Sequence, residues 1–112
     1  MRVLIINPNS DQETADVLSK TAQSFLEDRG EFDVVSMRTA PKLVVTYEDQ
    51  AASAMELIAT VRAGRERYDA FILPCHADPN LDLVREVAGG KPVFGIAEAS
   101  MRMAAMLHGG YA

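Results

Sequence analysis

Only one cysteine, Cys75, occurs among the 112 residues, so the chain cannot close an internal disulfide, and a reducing, cytoplasmic compartment is the expectation. His76 and His108 are the only histidines; with a lone cysteine they make no metal-ligand cluster, and no metal is expected. Neither a GxxxxGK(S/T) phosphate loop nor a GxGxxG dinucleotide loop is present, which removes the usual nucleotide sites. No apolar run approaches the ~20 residues of a membrane span. The opening Met1–Asn7 carries a charge and an apolar stretch but is too short for a signal peptide. Positive charge is scarce: 11 Lys and Arg against 16 Asp and Glu leave a net charge of -5. Nucleic acid and anionic membrane surfaces both demand the opposite balance, so neither is an expected partner.

What remains is an ordinary globular composition, 48% hydrophobic and 24% charged, in a chain of a size for one domain. Val3–Ile6 is continuously apolar and rich in β-branching, the pattern of a strand buried on both faces. Ser10 and Glu13 have capping-box spacing, which predicts a helix starting after Ser10. Its face is Leu18, Thr21, Ala22 and Phe25, and Gly30 closes it. Phe32–Met37 reads as a second strand. Arg38–Asp49 reads as a long loop with a short extended piece at Leu43–Val45, longer than the usual ~4–6 residues and so a candidate functional segment. Ala54, Leu57, Ile58 and Val61 then have helical spacing, running to about Gly64.

The third strand is Ala70–Leu73. Asp78 can cap a following helix with Pro79 at its first position, whose buried face is Leu81, Val84 and Ala88 and whose end is Gly89-Gly90. Pro92–Ile96 is the fourth strand, followed by a helix from about Glu98 to Leu107. Met101, Met103 and Met106 cannot share one face at that spacing, so some are expected at the surface. Strands alternating with helices predict an α/β fold: a four-stranded parallel sheet with helices on both faces, residues 1–112 forming a single lobe.

The chemistry-bearing stretch is Tyr68–Pro79, where an apolar strand stops at Pro74-Cys75-His76. In open α/β sheets ligands bind at the carboxyl ends of strands. A thiol there lies in the field of the next helix end, which favours the thiolate, a nucleophile and a carbon-acid base. The bland alternative, a small buried hydrophobe, has comparable weight from position type alone. His76 is either a partner of the thiol or an exposed loop residue. Asn7, Asn9 and Ser10 end the first strand on the same edge, where Asn7 can converge with Cys75 or simply serve the turn. Glu98 opens the last helix, where dipole complementation is its commoner role.

Three segments together resemble a known family: Ile6-Asn7-Pro8-Asn9-Ser10, Cys75-His76-Ala77-Asp78-Pro79-Asn80-Leu81, and Pro92-Val93-Phe94-Gly95-Ile96-Ala97-Glu98-Ala99-Ser100. In that order they look like the hydantoin racemase branch of the Asp/Glu racemase superfamily, with allantoin racemase a neighbouring activity. The resemblance implies a cofactor-independent racemase acting on a small carbon acid (a hydantoin, allantoin or an amino-acid-like compound). Two thiols on opposite faces of the α-carbon would serve as acid and base, Cys75 matching the first. It further implies substrate contacts from Asn7, Ser10, Pro41, Val45, His76, Ala77, Ala97 and Glu98, with the amides after Cys75, those of Ala97-Glu98 and the Asn7 side chain as donors to the developing enolate oxygen.

The chain departs from the family in two ways. Family members are about twice as long and carry the second cysteine in a second lobe, so this chain resembles the N-terminal lobe, truncated near Gly110-Tyr111-Ala112, and a homo-oligomer is expected to supply a second thiol. The pocket loop, here Ala40–Gln50, keeps Pro41 and Asp49 but not the family's Gly, Ser and Glu positions. On the residues, two other readings stay open: a one-cysteine decarboxylase or cis–trans isomerase of small dicarboxylates, and a non-catalytic small-molecule-binding domain.

Overall fold

The computed structural model describes residues 1–108; the expected end of the lobe at Gly110-Tyr111-Ala112 lies outside them. Four strands, β1 (Arg2–Asn7), β2 (Glu31–Ser36), β3 (Ala70–Leu73) and β4 (Val93–Gly95), alternate with helices α1 (Gln12–Leu26), α2 (Tyr47–Gly64), α3 (Leu81–Val87) and α4 (Ile96–His108). All strand pairs are parallel, in the order β2-β1-β3-β4. Register runs through Ile5 opposite Val34 and Ile72, and Ile72 opposite Phe94. The chain leaves β1 toward β2 and then crosses back to β3. The direction of winding therefore reverses between β1 and β3, the position where such sheets open a crevice at their carboxyl ends.

The two faces are unequal. Leu4, Ile6, Phe71, Leu73 and Val93 pack under α2 and α3, against Leu57, Val61, Val84 and Val87, forming the larger core. Val3, Ile5 and Ala70 form a smaller cluster on the other face, with Ala22 of α1 packed against it. Burial on both faces explains the unbroken apolar run of β1. Gly89 and Gly90 take positive φ (65° and 84°) and turn the chain from α3 into β4, as expected.

Several boundaries differ from the sequence expectation for local reasons. Asp11, not Ser10, caps α1: its carboxylate accepts the Thr14 amide at 3.1 Å and the Thr14 hydroxyl at 2.6 Å. The Ser10 amide is drawn away to the Pro41 carbonyl. The stripe on α1 is rotated, with Ala15 buried and Leu18, Ala22 and Leu26 half-buried. Phe25 is 71% exposed, because Leu26 takes the inward position that the 3.6-residue period offers to either. The helix ends at Glu27, which adopts φ 50°, so Gly30 opens β2 instead of closing α1.

Leu43–Val45 forms no strand; α2 begins at Tyr47, earlier than its apolar spacing suggests. Thr46 and Asp49 make a reciprocal capping box that starts the helix while its first turn is still solvent-facing. Asp78 does not cap α3, which starts at Leu81 behind Asn80. α4 starts two residues before Glu98, at Ile96. It buries no residue, and Met101, Met103 and Met106 are all exposed. No helix among the described residues is long and apolar enough to cross a membrane.

Candidate functional site

Pro74 has no amide to continue the ladder and stops β3. Cys75 follows at the reversal between β1 and β3, partly buried and unpaired by any disulfide. The Asp78 amide donates to the Cys75 carbonyl at 3.0 Å, closing a turn whose tip, His76-Ala77, is exposed. Among the described residues the amides of His76 and Ala77 have no protein acceptor. Beyond the tip, Asp78 and Asn80 both take left-handed φ (45° and 59°), flanking the buried Pro79.

Each left-handed residue anchors the turn through its side chain. The Asp78 carboxylate accepts the Ala97 amide at 3.0 Å and the Glu98 amide at 2.8 Å. It thereby caps α4, a helix that begins 18 residues after it, where a carboxylate also meets the positive end of the dipole. Gly95 makes room for it, since any side chain there would overlap that carboxylate. Asn80 Nδ2 donates to the Gln50 carbonyl at 2.8 Å and lies 3.3 Å from Ser53 Oγ, tying the turn to α2.

Asn7 is 1% exposed, and its amide nitrogen is already engaged by Asn9 Oδ1 (2.7 Å), the Asp11 carbonyl and Ser36 Oγ (both 3.2 Å). Extending the β1–β3 register sets it opposite Pro74, next to Cys75. Asn7 therefore holds the β1 turn in shape, and its hydrogens are spent on that turn and on Ser36 of β2. Ser10 and Pro41 are joined to each other by their backbones at 3.1 Å.

Val45 and Ala77 meet across a hollow of about 600 Å³, together with Thr46, Tyr47 and Gln50. A hollow of similar size lies between α1 and β2 and reaches the amino ends of β1 and β2 at Arg2 and Glu31, the far side of the sheet from Ala77; Cys75 itself lines neither hollow. Glu98 binds Arg85 through both carboxylate oxygens at 3.0 Å and Arg102 at 3.1 Å. The Arg85 hydrogen bonds hold its carboxyl below the usual range. Arg85 also reaches the Val93 carbonyl on the open edge of β4. Of the three expected sets of donors, the Asn7 amide and the Ala97-Glu98 amides are thus internally bonded, and after Cys75 the amides of His76 and Ala77 meet no protein acceptor among the described residues.

The Asp78 and Asn80 anchors and the Thr46–Asp49 cap were not among the expected site residues. Asp-Pro-Asn and the isolated Gly95 are the signals of the two anchors, whose partners lie far along the chain, whereas Thr46-Tyr47-Glu48-Asp49 has capping-box spacing of its own.

The family model for Asp/Glu/Hydantoin racemase matches residues 3–111. The chain belongs to that family. It is 34% identical to the hydantoin racemase of Pseudomonas sp. (strain NS671) over 108 residues, covering 96% of this chain and 43% of that protein. To the hydantoin racemase of Paenarthrobacter aurescens it is 33% identical, covering 96% and 46%. The solved allantoin racemase from Klebsiella pneumoniae superimposes with a TM-score of 0.86 at 34% identity, over 95% of this chain and 43% of that one. The chain thus spans less than half the length of these relatives, all of them racemases and so isomerases.

Proposed function

We propose that this lobe carries one half of a racemase site for a small cyclic carbon acid of the hydantoin or allantoin kind, with Cys75 as acid/base. The observation that supports this reading best is the placing of a partly buried thiol at the β1–β3 reversal, followed directly by the exposed amides of His76 and Ala77, which bond no protein acceptor among the described residues. The Cys75 thiolate takes the proton from the α-carbon: the C–H bond breaks, an S–H bond forms, and the electron pair moves onto the adjacent carbonyl oxygen. The His76 and Ala77 amides are suited to hold that oxyanion. Val45 and Ala77 border the space for the ring, with Ser10 and Pro41 fixing the loop that bounds it. Inversion needs a proton delivered to the opposite face, and one cysteine cannot do both. In a homo-oligomer a second copy supplies the second thiol, in a reducing cytoplasm and without cofactor. The described residues are read as the N-terminal lobe of a two-lobed family fold.

The test is solvent deuterium wash-in at the α-carbon of single enantiomers of 5-substituted hydantoins and allantoin, with sedimentation on the same samples. Exchange with inversion by a dimer, lost in Cys75→Ala, is the expected result. Exchange with retention would mean one working thiol and no second face. Exchange at full rate in Cys75→Ala would overturn the assignment of the base.

A further inference from the structure

Among the described residues, Asp78 is the carboxylate that joins the cysteine turn to the start of α4. Its backbone amide closes the turn on the Cys75 carbonyl, while its side chain accepts the amides of Ala97 and Glu98, the second and third residues of α4. It does so from a left-handed φ of 45°, which non-glycine residues adopt only against steric resistance and which folds keep where something over-determines it. The match on the other side is as particular, because Gly95 alone leaves space for the carboxylate. An ordinary cap is recruited from the residue just before its helix. This one is recruited from the residue three after the thiol.

The geometry points to Asp78 as the positioning residue of the site: a latch, seated over Gly95, that holds the Cys75 turn against the start of α4. The bond from the Asp78 amide makes the position of the Cys75 backbone follow that of the Asp78 side chain. The two amides at α4 fix that side chain relative to the sheet. Asn80, bonded to Gln50 and Ser53 of α2, restrains the far end of the same turn, so the exposed His76 and Ala77 amides are held between two anchored points. This inference deepens the racemase reading by naming what aims its thiol, but its test does not require turnover.

The experiment uses the 112-residue chain itself, as wild type, Asp78→Ala, Gly95→Ala, the double variant and Asp78→Asn. Two quantities are read far below the melting temperature: hydrogen exchange of the Ala97 and Glu98 amides, and the rate of Cys75 alkylation by iodoacetamide across a pH series. In Asp78→Ala both amides should exchange roughly five- to tenfold faster, the population change that loss of a helix cap produces. Cys75, released from its turn, should be alkylated severalfold faster with an altered pH profile. Gly95→Ala, which keeps the carboxylate but evicts it, should reproduce both changes. In the Asp78→Ala background it should add nothing, since the two substitutions break one contact. Asp78→Asn keeps the shape and one acceptor oxygen, so it should retain protection at one amide and restore part of the wild-type alkylation rate.

A purely structural cap would lower the melting temperature and leave the alkylation profile of Cys75 unmoved, and that result overturns the proposal. So does full additivity of the two alanine variants. Deuterium wash-in by the wild type is independent of both: exchange without a latch effect sinks only this inference, and a latch effect without exchange sinks only the racemase reading.

Discussion

The amide of Ser10 donates to the carbonyl of Pro41 at 3.1 Å, so the turn after β1 and the loop after β2 are one fastened unit. The Met37 amide adds a second stitch to the Asn9 carbonyl at 3.0 Å. Two segments about 30 residues apart are held side by side at the edge where Cys75 emerges.

Asn7 is the keystone of that unit. Asn7→Ala should cost about 1–3 kcal/mol in urea unfolding, the usual penalty for leaving buried polar partners unpaired. Asn7→Asp should be no better at neutral pH. Its oxygen would face Asn9 Oδ1 and the Asp11 carbonyl, acceptor against acceptor. A stability equal to wild type in Asn7→Asp would show that the amide is not the group that matters.

The start of α2 depends on two side chains. Thr46→Ala and Asp49→Ala should each lower stability by about 1 kcal/mol. The double variant should lose less than the sum, because the box is reciprocal. Thermal melts of the four proteins measure this directly. Strict additivity would mean that the two bonds act independently.

At the amino edge of the sheet Tyr68 donates to Asp33 Oδ2 at 2.6 Å, with Arg2 on the same oxygen at 3.1 Å. The Tyr68 bond holds the Asp33 carboxyl below its ordinary value, and burial together with that bond raises the Tyr68 hydroxyl. A lowered carboxyl contributes stability above its unfolded value of 3.8 that is lost as pH falls through the folded one. A raised phenol contributes stability below its unfolded value of 10.0 that is lost as pH climbs through the folded one. Wild type should therefore exceed Tyr68→Phe by about 1 kcal/mol at neutral pH, the half-exposed carboxylate limiting the effect. The gap should close at alkaline pH. A gap that persists there would mean the hydroxyl stabilises the fold by packing alone.

Leu57 and Phe25 separate the two sides of the sheet energetically. Leu57→Ala removes a fully buried side chain from the larger core and should cost about 2–5 kcal/mol. Phe25→Ser, on an exposed position of α1, should stay within about 0.5 kcal/mol. A large loss at Phe25 would show that something covers that face of α1 in solution.

Much of the fold was legible in the chain, because hydrophobic period and strand-ending residues are local signals. The apolar runs of β1 and β3 and the spacing of Leu57, Ile58 and Val61 all answer to near neighbours. So do Gly89-Gly90 and the stop at Pro74. Cys75 was legible for the same reason, as a lone thiol just past the end of a buried strand. The boundaries that moved are those where a distant partner decided between near-equal local choices. Ser10 and Asp11 both suit a cap, and Pro41 took the Ser10 amide. Phe25 and Leu26 both suit the inward position of α1, and packing selected Leu26.

By itself the sequence determined the alternation of strands and helices, the parallel sheet, the cysteine edge and, through three ordered motifs, the family. Only the tertiary structure decided that Asp78 caps α4 over Gly95, that Asn80 grips α2, and that Ser36 of β2 joins the Asn7 turn. Those pairings join residues whose separation in sequence carries no periodic trace. They exist because folding brings loose loop ends to one edge of the sheet, where each buried amide and carbonyl must find a partner.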